Sequence, residues 1–428
     1  MRLASMHPLL LILLTLVVSV AVTVIALNFT TGEKKIERVI EQRYNVDDPQ
    51  FLRAMGALLG PALVPGNQVI TLVNGDEIFP AMLQSIRGAQ KTITFETFIY
   101  WTGDIGKSFA DALSERARAG VHVHLLLDWV GSVKMEAKYL DQMKAAGVNI
   151  QQYHPLRWYN LGRMNNRTHR KLLVIDGKVG FTGGVGIAEL WTGDAQDPDH
   201  WRDLHYRVEG PVVAQMQAAF MDNWMKTSGL VLHGSDYFPA LAPVGDQAAQ
   251  MFKSSPNEGS ESMRLMYLLA INAAQHRLRI ANAYFVPDDL TVKTLVEAAE
   301  RGVDVQVLVP GTGIDTEMVR KASRARWGKL LKAGVRIYEY QPTMLHCKLM
   351  VVDDLWVSVG STNFDNRSFR LNDEANLNVY DRAFAQQQNA IFDDDLRHAK
   401  AYDYARWERR PWTEKLLEHS AALFRSQL

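Results

Sequence analysis

Two stretches decide the reading of this sequence: His169-Arg170-Lys171-Leu172-Leu173-Val174-Ile175-Asp176 and His346-Cys347-Lys348-Leu349-Met350-Val351-Val352-Asp353. Both obey HxKxxxxD, and their histidines stand 177 residues apart. The apolar runs at 172–175 and 349–352 predict buried strands. Side chains alternate along a strand, so His and Lys at i and i+2 share one face while Arg170 and Cys347 point away. Asp176 and Asp353 fall at the strand ends, where Asp-Gly and Asp-Asp suit a turn. Gly183-Gly184 follows the first copy and Gly360-Ser361-Thr362-Asn363 the second.

The duplication extends outward from these segments. Lys91–Tyr100 leads through a helical stretch to Gly120 and the strand Val121–Leu127; Arg277–Phe285 leads likewise to Gly302 and Val303–Val309. A second helix in each half ends in Ala146-Gly147-Val148 or Ala333-Gly334-Val335. Corresponding glycines lie 182 and 187 residues apart, far beyond a solenoid period, so this is a duplicated α/β unit. Strand–helix–strand alternation predicts right-handed βαβ units, hence two similar halves with mainly parallel or mixed sheets flanked by helices and related by a pseudo-twofold. The organisation expected is an anchor at 1–32, a helical lead-in at 33–64, a first half at 65–224, a connection at 225–260 rich in Gly, Ser and Pro, a second half at 261–395 and a helical tail at 396–428.

Composition bounds the rest. The 428 residues carry 47 Lys+Arg against 47 Asp+Glu, which gives no global pull toward nucleic acid. Cys347, the single cysteine, excludes an intrachain disulfide and a CxxC zinc site. No Asp, Glu, Lys or Arg occurs from Leu3 to Gly32, and Leu9–Leu27 is almost continuously apolar. Such a run matches the roughly 20 residues of an uncleaved transmembrane helix better than the about 7–15 of a signal peptide. Lys34, Lys35 and Arg38 after the span, against Arg2 before it, place the body on the cytoplasmic side by the positive-inside rule.

The doubled face suggests phosphoryl chemistry. Lysine is a compact cation suited to phosphate oxygens, and histidine serves as nucleophile or proton donor near neutral pH. If the halves pack about a twofold, two His and two Lys converge on one phosphoryl group: one imidazole attacks in line while the other protonates the leaving oxygen. Lysine is not a normal zinc ligand, and no second ligand stands at i+3 or i+4 from either His.

With these residues the sequence resembles the phospholipase D superfamily, whose signature is the doubled HKD motif, and within it the bacterial cardiolipin synthase branch. The likeness covers most of 65–428, including Phe95–Tyr100, Leu126-Leu127-Asp128, His200-Trp201-Arg202-Asp203, Gly360–Asp365 and Asn372–Asn376. It implies a covalent phosphohistidine mechanism with no metal and no cofactor. The catalytic residues it implies are His169, Lys171, Asp176, His346, Lys348 and Asp353, with His169 as nucleophile, His346 as acid and then base, and both lysines on the non-bridging oxygens. Asp176 and Asp353 are expected to brace the site between halves. A carboxylate downstream of each motif, Asp203 and Glu374, is expected to orient its imidazole, and Ser361 and Asn363 to contact phosphate. The first copy departs from the second in carrying Gly186 where Asn363 stands.

The resemblance further implies a bacterial inner-membrane phosphatidyltransferase. It passes phosphatidyl between phosphatidylglycerol molecules, with phosphatidylethanolamine a further candidate, at a site built within one chain and without nucleic acid. A hydrolytic phospholipase D shares every catalytic residue and is the first rival; a superfamily nuclease is the second, opposed by the neutral charge and the apolar N-terminus. Leu156–Leu161 is a candidate aromatic rim, with core packing the alternative. The amphipathic segment Lys415–Phe424 is expected to pack onto the body, with membrane contact the alternative.

Overall fold

The computed structural model describes residues 8–29, 36, 38, 40–155, 165–256 and 262–422. The first half supplies β1 (Val64–Val73), β2 (Thr92–Thr97), β3 (His122–Asp128), β4 (Asn149–Tyr153), β5 (Arg167–Thr168), β6 (Leu172–Ile175), β7 (Val179–Gly183) and β8 (Leu204–Glu209). The second supplies β9 (Gln247–Ser254), β10 (Arg277–Asn282), β11 (Asp304–Pro310), β12 (Arg336–Tyr340), β13 (Lys348–Val352), β14 (Trp356–Gly360), β15 (Asn372–Tyr380) and β16 (Ala399–Tyr402).

These strands form one 16-stranded sheet. From one edge it runs β4-β3-β2-β6-β7-β8-β1, then β9-β15-β14-β13-β10-β11-β12-β16, with β5 off this path and paired to β15. Each half has the same internal order, and the two meet where β1 pairs antiparallel with β9, which is the pseudo-twofold expected from the repeat. The sheet is mixed rather than mainly parallel. Only β2-β3-β4 and β10-β11-β12 run as parallel trios joined by helical crossovers, while β6-β7-β8-β1 and its counterpart are antiparallel. The reason is local: tight turns after Asp176 and Asp353 return the chain as hairpins, which only antiparallel strands can close.

β6 and β13 are buried over their full length, as near-continuous apolar strands covered on both faces must be. Their alternation sorts side chains between cores. Leu173 and Ile175 join the core of the first half, and Met350 and Val352 that of the second. Leu172, Val174, Leu349 and Val351 meet in a third core shared by the halves, under the helices Val213–Ser228 and Arg382–Arg397. The strand β9 lies inside the segment expected to be a connection, at the centre of the sheet. The strand β16, inside the expected tail, extends its edge.

Asp176 and Asp353 lie at the far ends of β6 and β13 from the histidines, at positive φ of 52° and 48°. The Asp353 carboxylate accepts backbone N–H bonds from Gln275 (2.7 Å), His276 (2.8 Å) and Arg277 (2.8 Å). Asp176 accepts from Gln90, Lys91 and Thr92 at 2.9, 2.7 and 2.9 Å. Each aspartate therefore pins the start of the first parallel strand within its own half, instead of bracing one half against the other. Asp353→Ala strands three amide donors and is expected to lower unfolding stability by about 2–4 kcal/mol, seen as a fall in denaturant midpoint. If the midpoint holds and turnover alone collapses, the aspartate acts in the chemistry instead.

At the N-terminus, Pro8–Phe29 forms a 22-residue helix with Leu9 71% and Ile12 65% exposed. Among the described residues no helix is long and apolar enough to cross a membrane. The side chains at 25 and 27–29 lie outside the described residues. The rim expected at Leu156–Leu161 also lies outside the described residues. The C-terminal helix Trp412–Ala422 does pack onto the body, against the helix Glu317–Arg324, but through its acids: Glu414 and Glu418 pair with Arg324 at 3.3 Å each.

Candidate active site

Each histidine precedes its strand in a short stretch that pairs with the opposite half. β5 runs parallel to the start of β15, and the His169 N–H donates to the Asp373 carbonyl at 2.9 Å. Symmetrically, Arg202 bridges Leu345, and the His346 N–H donates to the Arg202 carbonyl at 2.7 Å. The residues next in line, Glu374 and Asp203, are thereby delivered to the other half's imidazole. His169 Nδ1 lies 3.0 Å from both carboxylate oxygens of Glu374, and His346 Nδ1 lies 2.7 Å from Asp203 Oδ2. The carboxylates are thus crossed between halves, not each serving the histidine upstream of it.

Because ionised carboxylates only accept, each bond assigns the proton to Nδ1 and leaves Nε2 with its lone pair. His346 Nε2 stands 3.1 Å from Lys348 Nζ, which also donates to the His346 carbonyl at 2.6 Å. Lys171 Nζ donates to the His169 carbonyl at 2.8 Å. Histidine and lysine of each motif therefore share a face, as the alternation requires, while Arg170 and Cys347 are fully buried on the other. Arg170 binds the Glu374 carbonyl (3.2 Å), Asp222 (3.0 Å) and Ser255 (3.1 Å), which ties the first motif to the second half from behind.

The two half-sites are equipped differently. Ser361 donates its hydroxyl to Glu374 and receives the Ala375 N–H at 3.0 Å, so the structure engages it with the carboxylate that binds His169. At the corresponding Gly184 a Cβ would stand 2.3 Å from Asp203 Oδ1, and a side chain has no room. Asp203 is held instead by Trp191 Nε1 (3.0 Å) and the Leu204 N–H (2.8 Å). Trp191 and Trp201 also set their rings 5.3 and 5.4 Å from His346, where among the described residues Phe98 alone stands close to His169, at 5.3 Å. Trp191 carries no sequence signal of this role, since nothing local marks a tryptophan that meets a carboxylate by tertiary contact. Asn363 is 6% exposed, and its Oδ1 has no hydrogen-bond partner among the described residues.

Burial dominates the electrostatics. It pushes His169 down to about 4 and His346 to about 3, opposed by Glu374 and Asp203 respectively and reinforced by the lysines. Burial also lowers Lys171 to about 7, and Lys348 moves the same way. Glu374 and Asp203 fall below the usual carboxylate range because the imidazoles and lysines beside them outweigh burial. Lys348 acts on His169, and Lys171 on His346, so the two half-sites form one electrostatic unit. A buried, cation-rich cluster with both imidazoles neutral is arranged to receive an anion.

The "Cardiolipin synthase, PLD-like domain" family model matches residues 82–220 and 267–396, one match in each half and each enclosing one motif. The chain belongs to this family. A cardiolipin synthase of Geobacillus thermodenitrificans is 36% identical over 363 residues, 83% of this chain and 72% of that relative. Cardiolipin synthase A of Pseudomonas putida is 36% identical over 354 residues, 82% of this chain and 72% of its own length. Among solved structures, the phosphatidylserine synthase of Haemophilus influenzae superposes with a TM-score of 0.69 at 14% identity, covering 89% of this chain and all of that one. The polyphosphate kinase of Porphyromonas gingivalis gives 0.54 at 12% identity over 91% of this chain and 57% of its own. At those identities the likeness speaks for the fold alone.

Proposed function

We propose that this chain, a phosphatidyltransferase of the cardiolipin synthase type by family, works through a phosphohistidine shared between its halves. The observation that carries the reading is the crossed pairing of His169 with Glu374 and His346 with Asp203, which leaves an unprotonated Nε2 on each side of one cationic cluster.

In the first step His169 Nε2 attacks the phosphorus of phosphatidylglycerol. A P–N bond forms, the bond to the headgroup glycerol oxygen breaks, and His346 in its protonated form supplies the proton to that oxygen. In the second step His346 Nε2 takes the proton from a hydroxyl of another phosphatidylglycerol. The resulting oxygen displaces His169, forming cardiolipin. Lys171 and Lys348 stabilise charge on the non-bridging oxygens, a role often worth several kcal/mol. Glu374 and Asp203 hold the tautomers and stabilise whichever imidazole becomes cationic. On this reading the apolar run Leu9–Leu27 of the sequence serves as anchor in a bacterial inner membrane, with the body on the cytoplasmic side.

The full chain in phosphatidylglycerol vesicles is expected to release glycerol and accumulate cardiolipin. Phosphatidic acid as the main product, with no cardiolipin, would identify a hydrolase instead.

Both imidazoles lie well below neutral pH in the protein alone, so the acid needed in step one has to arise when substrate binds. A phosphate anion against the cluster favours protonation, so binding takes up protons. The sign follows: protons bound only in the complex strengthen binding at low pH and are lost as pH rises through the complex's higher pKa values. Inorganic phosphate is expected to bind more weakly as pH rises between about 5 and 8, with proton uptake measurable by calorimetry in buffers of different ionisation enthalpy. An affinity independent of pH beyond the ionisation of phosphate itself would sink this account.

A further inference from the structure

The C-terminal helix Trp412–Ala422 is inverted. Glu418, 1% exposed, and Ala421, 7% exposed, face the body, while Trp412, Leu416 and Leu417 stand 74%, 59% and 54% exposed. Helical spacing places 412 and 416 at the centre of the outward face, with 417 on its flank. An amphipathic helix docked on a core for its own stability turns its apolar residues inward. Here the inward face is held by Arg324 on Glu414 and Glu418, and by Arg410 on Glu418 at 2.6 Å.

Beside the helix opens a cavity of about 670 Å³ lined by Arg320, Arg324, Arg406, Arg409 and Arg410, with Asp403 and Glu414 as the acids among its lining residues. Arg320 and Arg406 lean on Glu339 at 2.9 and 3.7 Å, and Asp403 caps the helix Tyr404–Glu408. The Arg409 guanidinium is exposed and has no partner among the described residues. Cations at the mouth, and tryptophan and leucine on the adjoining helix, make the chemistry of a phospholipid interface rather than of a protein partner's apolar patch. The helix also runs back toward the catalytic end of the sheet. Ala421 packs with Val286 and Val319 and against Tyr284, and Tyr284 binds Asp315, whose charge acts on Lys348.

We propose that the outward face of Trp412–Ala422 and the arginine-lined cavity beside it form a second membrane contact. This contact seats on anionic phospholipid at the bilayer surface and holds the catalytic end of the body against the lipid that supplies its substrate. The surface is separate from the N-terminal helix, and the substrate-presenting part of the proposal rests on the phosphatidyltransferase reading.

The test uses the full chain. Cys347 is buried, so Leu416→Cys introduces one accessible thiol for an environment-sensitive fluorophore; Glu300→Cys, exposed at the opposite end of the sheet, is the control. In phosphatidylcholine vesicles containing phosphatidylglycerol, the label at 416 is expected to shift blue, to be quenched by acyl-chain-borne quenchers and to lose quenching from water, while the label at 300 does not. Arg406→Gln with Arg409→Gln is expected to abolish the shift. A label at 416 that stays as wet with phosphatidylglycerol as in phosphatidylcholine alone overturns the proposal. Energy transfer between labelled copies in detergent, with no lipid response, overturns it in favour of a contact between two chains. The readout needs no turnover, so a protein that docks without making cardiolipin refutes the function and leaves the surface standing. Turnover without docking does the reverse.

Discussion

Alanine at His169 is expected to reduce phosphatidyl transfer by about 10⁴-fold or more, because it removes the atom that forms the covalent intermediate. Alanine at His346 is expected to cost about 10²–10⁴-fold, the range of a lost proton donor. The two effects differ in kind, which gives the experiment its power. A phosphodiester with an acidic leaving alcohol departs without a proton, so the first step of His346→Ala recovers on such a substrate, whereas that of His169→Ala does not. The recovered variant then accumulates the phosphoenzyme, because the base of the second step is still missing. Rescue of His169→Ala instead would reverse the roles of the two histidines. Turnover by the double variant would end the phosphohistidine mechanism altogether. Both side chains are about nine-tenths buried among rings and carboxylates, so each variant needs its fold checked by thermal unfolding before its rate is interpreted.

The second large effect is expected from the orienting carboxylates. Asp203→Asn and Glu374→Gln keep the shape of the side chain but remove the charge, and each is expected to lower kcat by about 10²–10⁴-fold with a small change in KM. The crossed geometry makes a sharper statement. Asp203 raises the pKa of His346, against the burial that lowers it, so Asp203→Asn drives His346 lower still. Glu374→Gln does the same to His169. Histidine NMR titrations should therefore show each substitution acting on the imidazole of the opposite half. If Asp203→Asn moved His169 and spared His346, the pairing seen here would be wrong. The carbonyl contacts of Lys171 and Lys348 are untouched by either change, which keeps the phosphate-binding charge in place.

The histidine and lysine of each motif were legible because their relation is local. Two residues apart on a strand they share a face whatever surrounds them, and an apolar run of four residues marks the strand as buried. The duplication was equally legible, since it is a property of spacing. Partners 143 and 205 residues away, such as Asp203 for His346 and Glu374 for His169, have no such local rule. Motif order pairs each carboxylate with the histidine before it; the short parallel pairings of β5 with β15 and of Arg202 with Leu345 exchange them.

The two aspartates show the same limit. A strand-end Asp-Gly or Asp-Asp is recognisable as a turn, but only the folded chain reveals that the carboxylate gathers three backbone amides of a neighbouring strand and stands away from the histidines. The spacing of the C-terminal helix makes it amphipathic, yet the side that faces the body depends on Arg324 and Arg410 being there to meet Glu418. By itself the sequence determined the doubled half, the strand that carries each His–Lys face and the class of chemistry, all set by periodicities of a few residues. The tertiary structure alone decided which carboxylate serves which imidazole, how far burial moves the imidazoles toward neutrality, and which helix face meets solvent. Those properties depend on desolvation and on contacts between segments that only the fold brings together.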